Sequence, residues 1–215
     1  MLRKLFWDDP YRTQLMTRIA AVDGSSVMLE ETILFAFSGG QESDAGTIAG
    51  RPVLGAAKSG FDVVYTVSAE HGLRSGDAVE VHIDWPRRYT LMRLHSAAEI
   101  VLHLVYQLVP GVEKIGAHIS PDRARLDFAL NFNIGNFFEE IQASFATLVT
   151  ENRPIVTGFS DAPQQRRFWE IEGFARVPCG GTHPGETGEI GQVALRRKNV
   201  GKGKERIEVT LVAPR

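Results

Sequence analysis

A chain of 215 residues, 43% of them hydrophobic, can bury a sizeable core as one domain or two small ones, which excludes a disordered segment. Its formal charge of -2 argues against a uniformly basic nucleic-acid binder, so any contact with RNA has to use a local patch. The single cysteine, Cys179, excludes an internal disulfide framework and leaves a thiol that would act as a metal ligand or a nucleophile.

The first ten residues carry Asp8, Asp9 and Pro10 where a signal peptide needs a long apolar region, and no later apolar run approaches membrane-spanning length. The expectation is a cytoplasmic protein without a membrane partner. Residues 15–22 lead through Asp23-Gly24 into residues 26–30, a strand, tight turn, strand signal. Residues 53–58, 61–67 and 78–83 are further β-rich runs punctuated by Gly60, Gly72 and Gly76, and short strands at this spacing predict a small barrel. Residues 38–48 between them are small and polar, and composition alone reads them equally as a surface loop. Trp85-Pro86 interrupts the pattern and predicts a boundary, with an N-terminal barrel-like domain over 1–86 and a second domain over 87–215.

Over residues 88–109 the period turns helical, with Leu91, Leu94, Ala98, Leu102, Val105 and Leu108 as the apolar stripe and Pro110-Gly111 as its end. A hairpin is predicted from residues 114–120 and 123–128, joined at Pro121-Asp122. A second amphipathic helix over 134–150 would bury Phe137, Phe138, Ile141, Phe145 and Leu148. Residues 155–157 read as a strand, and the polar stretch 161–169 as a short helix or loop. Residues 174–178 deliver Cys179, and Thr187-Gly188-Glu189-Ile190-Gly191 leads into strands 192–197 and 206–212, whose hairpin carries Lys198, Lys202 and Lys204. The fold class is α+β, a small β-barrel followed by helices packed on an antiparallel sheet.

Two pairs of residues suggest chemistry. Cys179-Gly180-Gly181-Thr182-His183 sets a thiol and an imidazole four apart on a turn that two glycines let fold tightly. On the first helix, His95 and Glu99, with His103 beyond, run along one edge at four-residue intervals. Side chains so spaced have Cβ atoms about 6 Å apart, close enough for two to share one metal ion. Each pair is weak by itself; together they make a zinc site of His95, Glu99, Cys179 and His183, which points to hydrolysis.

Gly39-Gly40-Gln41-Glu42-Ser43-Asp44-Ala45-Gly46-Thr47-Ile48, Asp84-Trp85 with Arg88-Tyr89, Met92-Arg93-Leu94-His95-Ser96-Ala97, Arg125-Leu126-Asp127-Phe128, Cys179 to His183 and Thr187 to Gly191 occur in a telling order. That ordered set resembles the editing domain of alanyl-tRNA synthetase, and especially its free-standing AlaX-type trans-editing relatives of the longer class, across residues 29–211. A free-standing protein without an aminoacylation module is expected. The resemblance implies an ester hydrolase that acts on misacylated tRNA(Ala), chiefly the form charged with serine, with glycine as a further candidate. In the family, zinc is held by a His-x-x-x-His pair on a helix and a Cys-x-x-x-His pair on a loop. These positions map to His95 and Glu99, then Cys179 and His183, so the second helical histidine is glutamate here.

Three roles for Glu99 follow. As a fourth ligand it would leave a less positive centre that polarises a carbonyl less. Held off the metal, it would leave three ligands and an open position, with its carboxylate as general base towards water. As a sign of lost metal, it would leave a noncatalytic tRNA-binding module; a deacylase for a different misacylated tRNA is a further alternative.

An editing pocket should offer the serine hydroxyl a hydrogen-bond partner or the metal itself, because an unpaired buried polar group can penalise alanine. Gln41, matching the glutamine of the family's Gly-rich loop, is the first candidate for catalysis and for substrate binding, with Gly39 and Gly40 beside it. His118 and Ser120 on the hairpin and Arg93 on the helix follow. Arg87, Arg88 and Arg93, and on the late hairpin Arg196, Arg197, Lys198, Lys202 and Lys204, are candidates for phosphate contacts. The expected assembly is a monomer or weak homodimer.

Overall fold

The structure, a computed structural model, describes residues 2–201 and 203–212, so Lys202 lies outside the described residues. The chain forms two compact units. One takes the chain up to Ser38 together with Glu42–Tyr89; the other takes Gly39–Gln41 and the chain from Thr90 onward.

In the first unit β1 (Arg3–Lys4) pairs in parallel with β4 (Glu31–Thr32). The remaining strands are β2 (Gln14–Asp23), β3 (Ser26–Leu29), β5 (Gly46–Ile48), β6 (Arg51–Pro52), β7 (Gly55–Ser59), β8 (Asp62–Thr66) and β9 (Ala78–Ile83). They form a curled antiparallel half-barrel in the order β6-β5-β9-β2-β3-β8-β7. Period-two alternation makes this sheet: Leu15, Thr17 and Ile19 of β2 are buried while the residues between them are exposed. Leu15, Ile19, Val27, Tyr65 and Val81 meet in the core. Register pairs Asp23 with Ser26 across a two-residue turn at Gly24, whose φ of +55° suits glycine.

Arg88 and Asp44 are fully buried together in this unit. The Arg88 Nε donates to Asp44 Oδ1 at 2.9 Å, its Nη1 to the Pro10 carbonyl at 2.9 Å and its Nη2 to both Asp44 Oδ2 and the Ile33 carbonyl. Asp44 also accepts the Phe35 N–H at 2.6 Å. The polar stretch 38–48 is therefore anchored at its middle by a buried charge pair, and Arg88 has no guanidinium to spare for RNA.

Helix α1 runs Trp85–Leu108, starting three residues before the predicted helix. Pro86 does not break it, because a first-turn residue has no intrahelical acceptor for an N–H and loses nothing by lacking one. Asp84 supplies the cap, accepting the Arg87 N–H on Oδ1 at 3.1 Å.

The second unit contains β10 (Glu113–Ile119), β11 (Ala124–Ala129), α2 (Phe138–Glu151), β12 (Val156–Asp161), β13 (Arg166–Ile171), β14 (Ala175–Pro178), β15 (Val193–Gly201) and β16 (Lys204–Leu211). One antiparallel sheet has the order β10-β11-β16-β15 and another the order β12-β13-β14. Leu94, Ile100, Val101 and Val105 of α1 share a core with Leu126, Phe128, Ile207 and Val209 of the first sheet, Ile141, Phe145 and Leu148 of α2, and Trp169 and Ile171 of β13. The predicted second helix is split: a 3-10 turn over Ile134–Phe137, capped by the Asn133 side chain on the Gly135 N–H, precedes α2.

The stretch 161–169 holds no helix: residues 162–165 are the turn of the β12–β13 hairpin, and the rest belongs to its strands. Arg167, Trp169 and Ile171 alternate inward, and an arginine in an inward position hides that alternation from a hydrophobic pattern. Among the described residues no helix is long and apolar enough to cross a membrane.

Candidate metal centre

Three elements of the second unit bring the centre together. Helix α1 presents His95, 4% exposed, and at the next position Ser96, which is fully buried. Strand β14 ends at Pro178, and the Cys179 N–H donates to the Arg167 carbonyl at 3.0 Å, which fixes where the thiol leaves the sheet. The turn then brings His183, 3% exposed, back beneath it.

Gly181 makes this turn possible through space rather than torsion. A Cβ there would overlap the His95 ring and approach Gln41 Oε1 to 2.8 Å, whereas a Cβ on Gly180 would meet nothing within 4 Å. The third element is the Gly39–Gln41 segment, which lies along β10 as a parallel bridge between Gln41 and Ile119, with the Ile119 N–H donating to the Gly40 carbonyl at 2.8 Å. Gly40 is required twice, by a φ of +90° and by the Ala117 carbonyl 2.8 Å from where its Cβ would stand.

One potential ligand atom from each of His95, Cys179 and His183 lies within 4.8 Å of the other two. Cys179 Sγ is 3.5 Å from His95 Nε2 and 3.1 Å from His183 Nε2. Zinc bonds of about 2.0–2.1 Å to nitrogen and about 2.3 Å to sulfur, at a tetrahedral angle, set N and S about 3.5 Å apart. The donor set and its spacing therefore fit such an ion.

The outer nitrogens of both rings are already engaged. His95 Nδ1 is 2.6 Å from Gln41 Oε1, and His183 Nδ1 is 2.8 Å from Ser96 Oγ. An amide oxygen can only accept, so His95 carries its hydrogen on Nδ1 in that pair. Partners at Nδ1 aim both Nε2 atoms inward, the arrangement that metal-binding histidines use.

The two rings differ in charge. Burial alone would lower His95, but the Cys179 thiolate and hydrogen bonds to Cys179 and Glu99 outweigh it and push it up to about 10. Burial, with His95 and Arg167 nearby, holds His183 well below its ordinary value, so that ring is neutral and ready to ligate. Burial would raise Glu99, yet its hydrogen bond and attraction to His95 bring it below the usual carboxylate range.

The sequence-based candidates separate clearly. Glu99 lies outside the three-atom cluster, its Oε1 3.5 Å from His95 Nε2. Gln41 is fully buried, with Oε1 also accepting the Thr182 N–H at 3.2 Å and Nε2 donating to Thr182 Oγ1 at 2.9 Å, so it acts on the centre through His95 and Thr182. Arg93 donates twice to the Ile190 carbonyl, at 3.0 and 2.9 Å, clamping the turn after His183 to α1. His118 is half-buried on β10 opposite Arg125, between the two residues that touch the Gly39–Gln41 segment. Ser120 closes the β10–β11 turn onto Asp122 and the Arg123 carbonyl. Arg87 is engaged by Glu42 at 2.8 Å. Sequence reasoning missed Ser96 and Thr182, since no spacing rule reports a hydroxyl that serves a histidine elsewhere in the chain.

A family model for the threonyl and alanyl tRNA synthetase second additional domain matches residues 167–208, the stretch that holds Cys179 and His183. The chain is 33% identical to the alanyl-tRNA editing protein AlaX-M of Pyrococcus horikoshii, over 98% of either chain. It is 30% identical to the AlaX-M protein of Methanosarcina barkeri, over 99% of this chain and 100% of that one. The alanine–tRNA ligase of Methanococcus aeolicus is 27% identical over 96% of this chain, which spans 25% of that enzyme. The chain belongs to the AlaX-M alanyl-tRNA editing protein family.

Proposed function

We propose that the protein is a zinc-dependent deacylase that hydrolyses misacylated tRNA(Ala), chiefly the form charged with serine and secondarily that charged with glycine. The observation that carries this reading is the convergence of His95 Nε2, Cys179 Sγ and His183 Nε2 with both Nδ1 atoms held from outside. The names of the relatives supply the substrate class. In this reading residues 87–215 form the editing domain and residues 1–86 a barrel-like appendage.

His95, Cys179 and His183 would hold the ion, which when bound supplies Lewis acidity towards a carbonyl and acidifies water. Glu99 stands beside the three ligands as the general base. Its carboxylate takes a proton from the attacking water as the C–O bond to water forms, and returns it to the ribose oxygen as the ester bond breaks. Gln41 keeps His95 oriented and ties it to Thr182, while Gly40 lets the backbone approach β10 closely enough for this and Gly39 supplies a positive φ beside it. Cys179 acts as a ligand, so no acyl-enzyme forms on it.

The deciding experiment is a panel of charged tRNAs with zinc quantified in the same sample. Wild type is expected to hydrolyse Ser-tRNA(Ala), spare Ala-tRNA(Ala) and carry about one zinc per chain. Cys179→Ala should lose metal and activity together. Full activity in that variant would overturn the metal role, and preference for another charged tRNA would overturn the substrate. A protein that binds tRNA with neither zinc nor hydrolysis would be the noncatalytic module.

A further inference from the structure

The sheet β10-β11-β16-β15 turns Leu126, Phe128, Ile207 and Val209 to the core, so strand alternation puts their neighbours in sequence on the opposite face. Register carries two rows across all four strands there. One holds His118, Arg125, Glu208 and Arg196; the next holds Gly116, Asp127, Arg206 and Lys198.

Charge along these rows is uneven. In the middle it is neutralised, because Arg206 holds Asp127 through hydrogen bonds of 2.6 and 3.0 Å. At the β15 end it is not. Arg196 and Lys198 are exposed, and among the described residues no carboxylate engages either side chain. Arg197 between them turns to the other face and is bound to Glu205 at 2.5 and 2.6 Å, so alternation divides one basic run into a structural arginine and two outward cations. This local excess runs against a chain whose net charge is -2.

The opposite edge of the rows adjoins the metal centre. Strand β10 is extended by the Gly39–Gln41 segment, and Gln41 holds His95 at 2.6 Å. At a strand spacing of about 4.8 Å, the rows run about 14 Å from β15 to β10. They contain no large apolar side chain, which a protein partner would need as an anchor. An exposed guanidinium and an exposed ammonium two residues apart along β15 do suit phosphates along a nucleic-acid strand.

We infer that this outer sheet face binds the phosphate backbone of the RNA substrate, with Arg196 and Lys198 as the outermost contacts and β10 as the edge where the strand reaches the metal centre. The inference rests on the deacylase reading for its substrate.

The test is an Arg196→Glu/Lys198→Glu variant, with Arg196→Gln/Lys198→Gln as the milder form and Arg166→Glu, exposed on the β12–β13 hairpin, as a charge control. Binding of uncharged tRNA(Ala) is measured against salt, and deacylation kinetics beside it. Charge reversal should weaken binding at least ~10-fold and flatten the log–log salt slope by about 1.5, the share of two phosphate contacts. It should raise KM without changing kcat, metal content or melting temperature. The Gln variant should show a smaller loss, and Arg166→Glu almost none. Unchanged affinity and slope in the double variants, or an equal loss in Arg166→Glu, would overturn the assignment. If wild type deacylates nothing, the deacylase reading falls, while the binding arm still decides what this face does.

Discussion

Each unit of the protein buries a polar cluster, and the two clusters are built on opposite plans. Around Arg88 the guanidinium is matched to Asp44 and to two backbone carbonyls, and Asp44 accepts a further backbone N–H. That cluster is closed, so it can hold the chain and do nothing else. Around Cys179 the outside partners, Gln41 and Ser96, satisfy only the outer nitrogens, and two imidazole nitrogens and a thiol are left facing one another. Burial and polarity are common to both, so neither marks a reactive site. What marks one is three ligand-type atoms converging on one point, where the His95 proton, shared with Cys179 and Glu99, holds the place that a cation would take.

If that contrast is right, the largest effect should come from Gly181→Ala, which drives a methyl into the His95 ring and should reduce zinc affinity by more than ~100-fold. Gly180→Ala, with open space around its Cβ, should bind zinc as wild type does, and equal losses in a competition titration would break the explanation. Arg88→Met tests the closed cluster, because it leaves the Asp44 charge buried and unpaired. It should cost about 3–5 kcal/mol of stability in denaturant unfolding, with zinc affinity measured below the transition unchanged. Ser96→Ala should have the reverse profile, lowering zinc affinity about 10- to 100-fold with a small change in melting temperature, while Ser96→Thr restores much of it.

The smallest effect is a proton count. Because His95 in the metal-free protein stays protonated up to about 10, its proton must leave when a metal binds. Calorimetry in buffers of different ionisation enthalpy should show release of about one proton from this ring near neutral pH, with affinity rising about tenfold per pH unit. The metal-free protein should behave in the opposite sense. A raised His95 stabilises it fully below the ordinary imidazole value, and that stability is lost as pH rises towards about 10.

Much of the fold is legible in the chain. Alternation marks β2, β3 and β9, and a 3.6-residue period marks the core of α1 and the buried residues of α2. The failures have specific causes. Pro86 reads as a break because the rule for proline is an interior rule, and here it stands in a first turn. The β12–β13 hairpin is hidden because Arg167 is polar yet buried. At the centre, the spacing of His95 with Glu99 and of Cys179 with His183 is visible, but not which of the four draw together.

Sequence by itself determined the local periods, the single thiol, and the family to which the ordered motifs belong, because each is a property of neighbours along the chain. Tertiary structure decided that Gly181 and not Gly180 is indispensable, that Gln41 serves His95 and Ser96 serves His183, and that Arg88 is sealed in while Arg196 faces out. Those pairings join residues 54 and 87 positions apart. Packing alone sets such distances, so no local pattern records them.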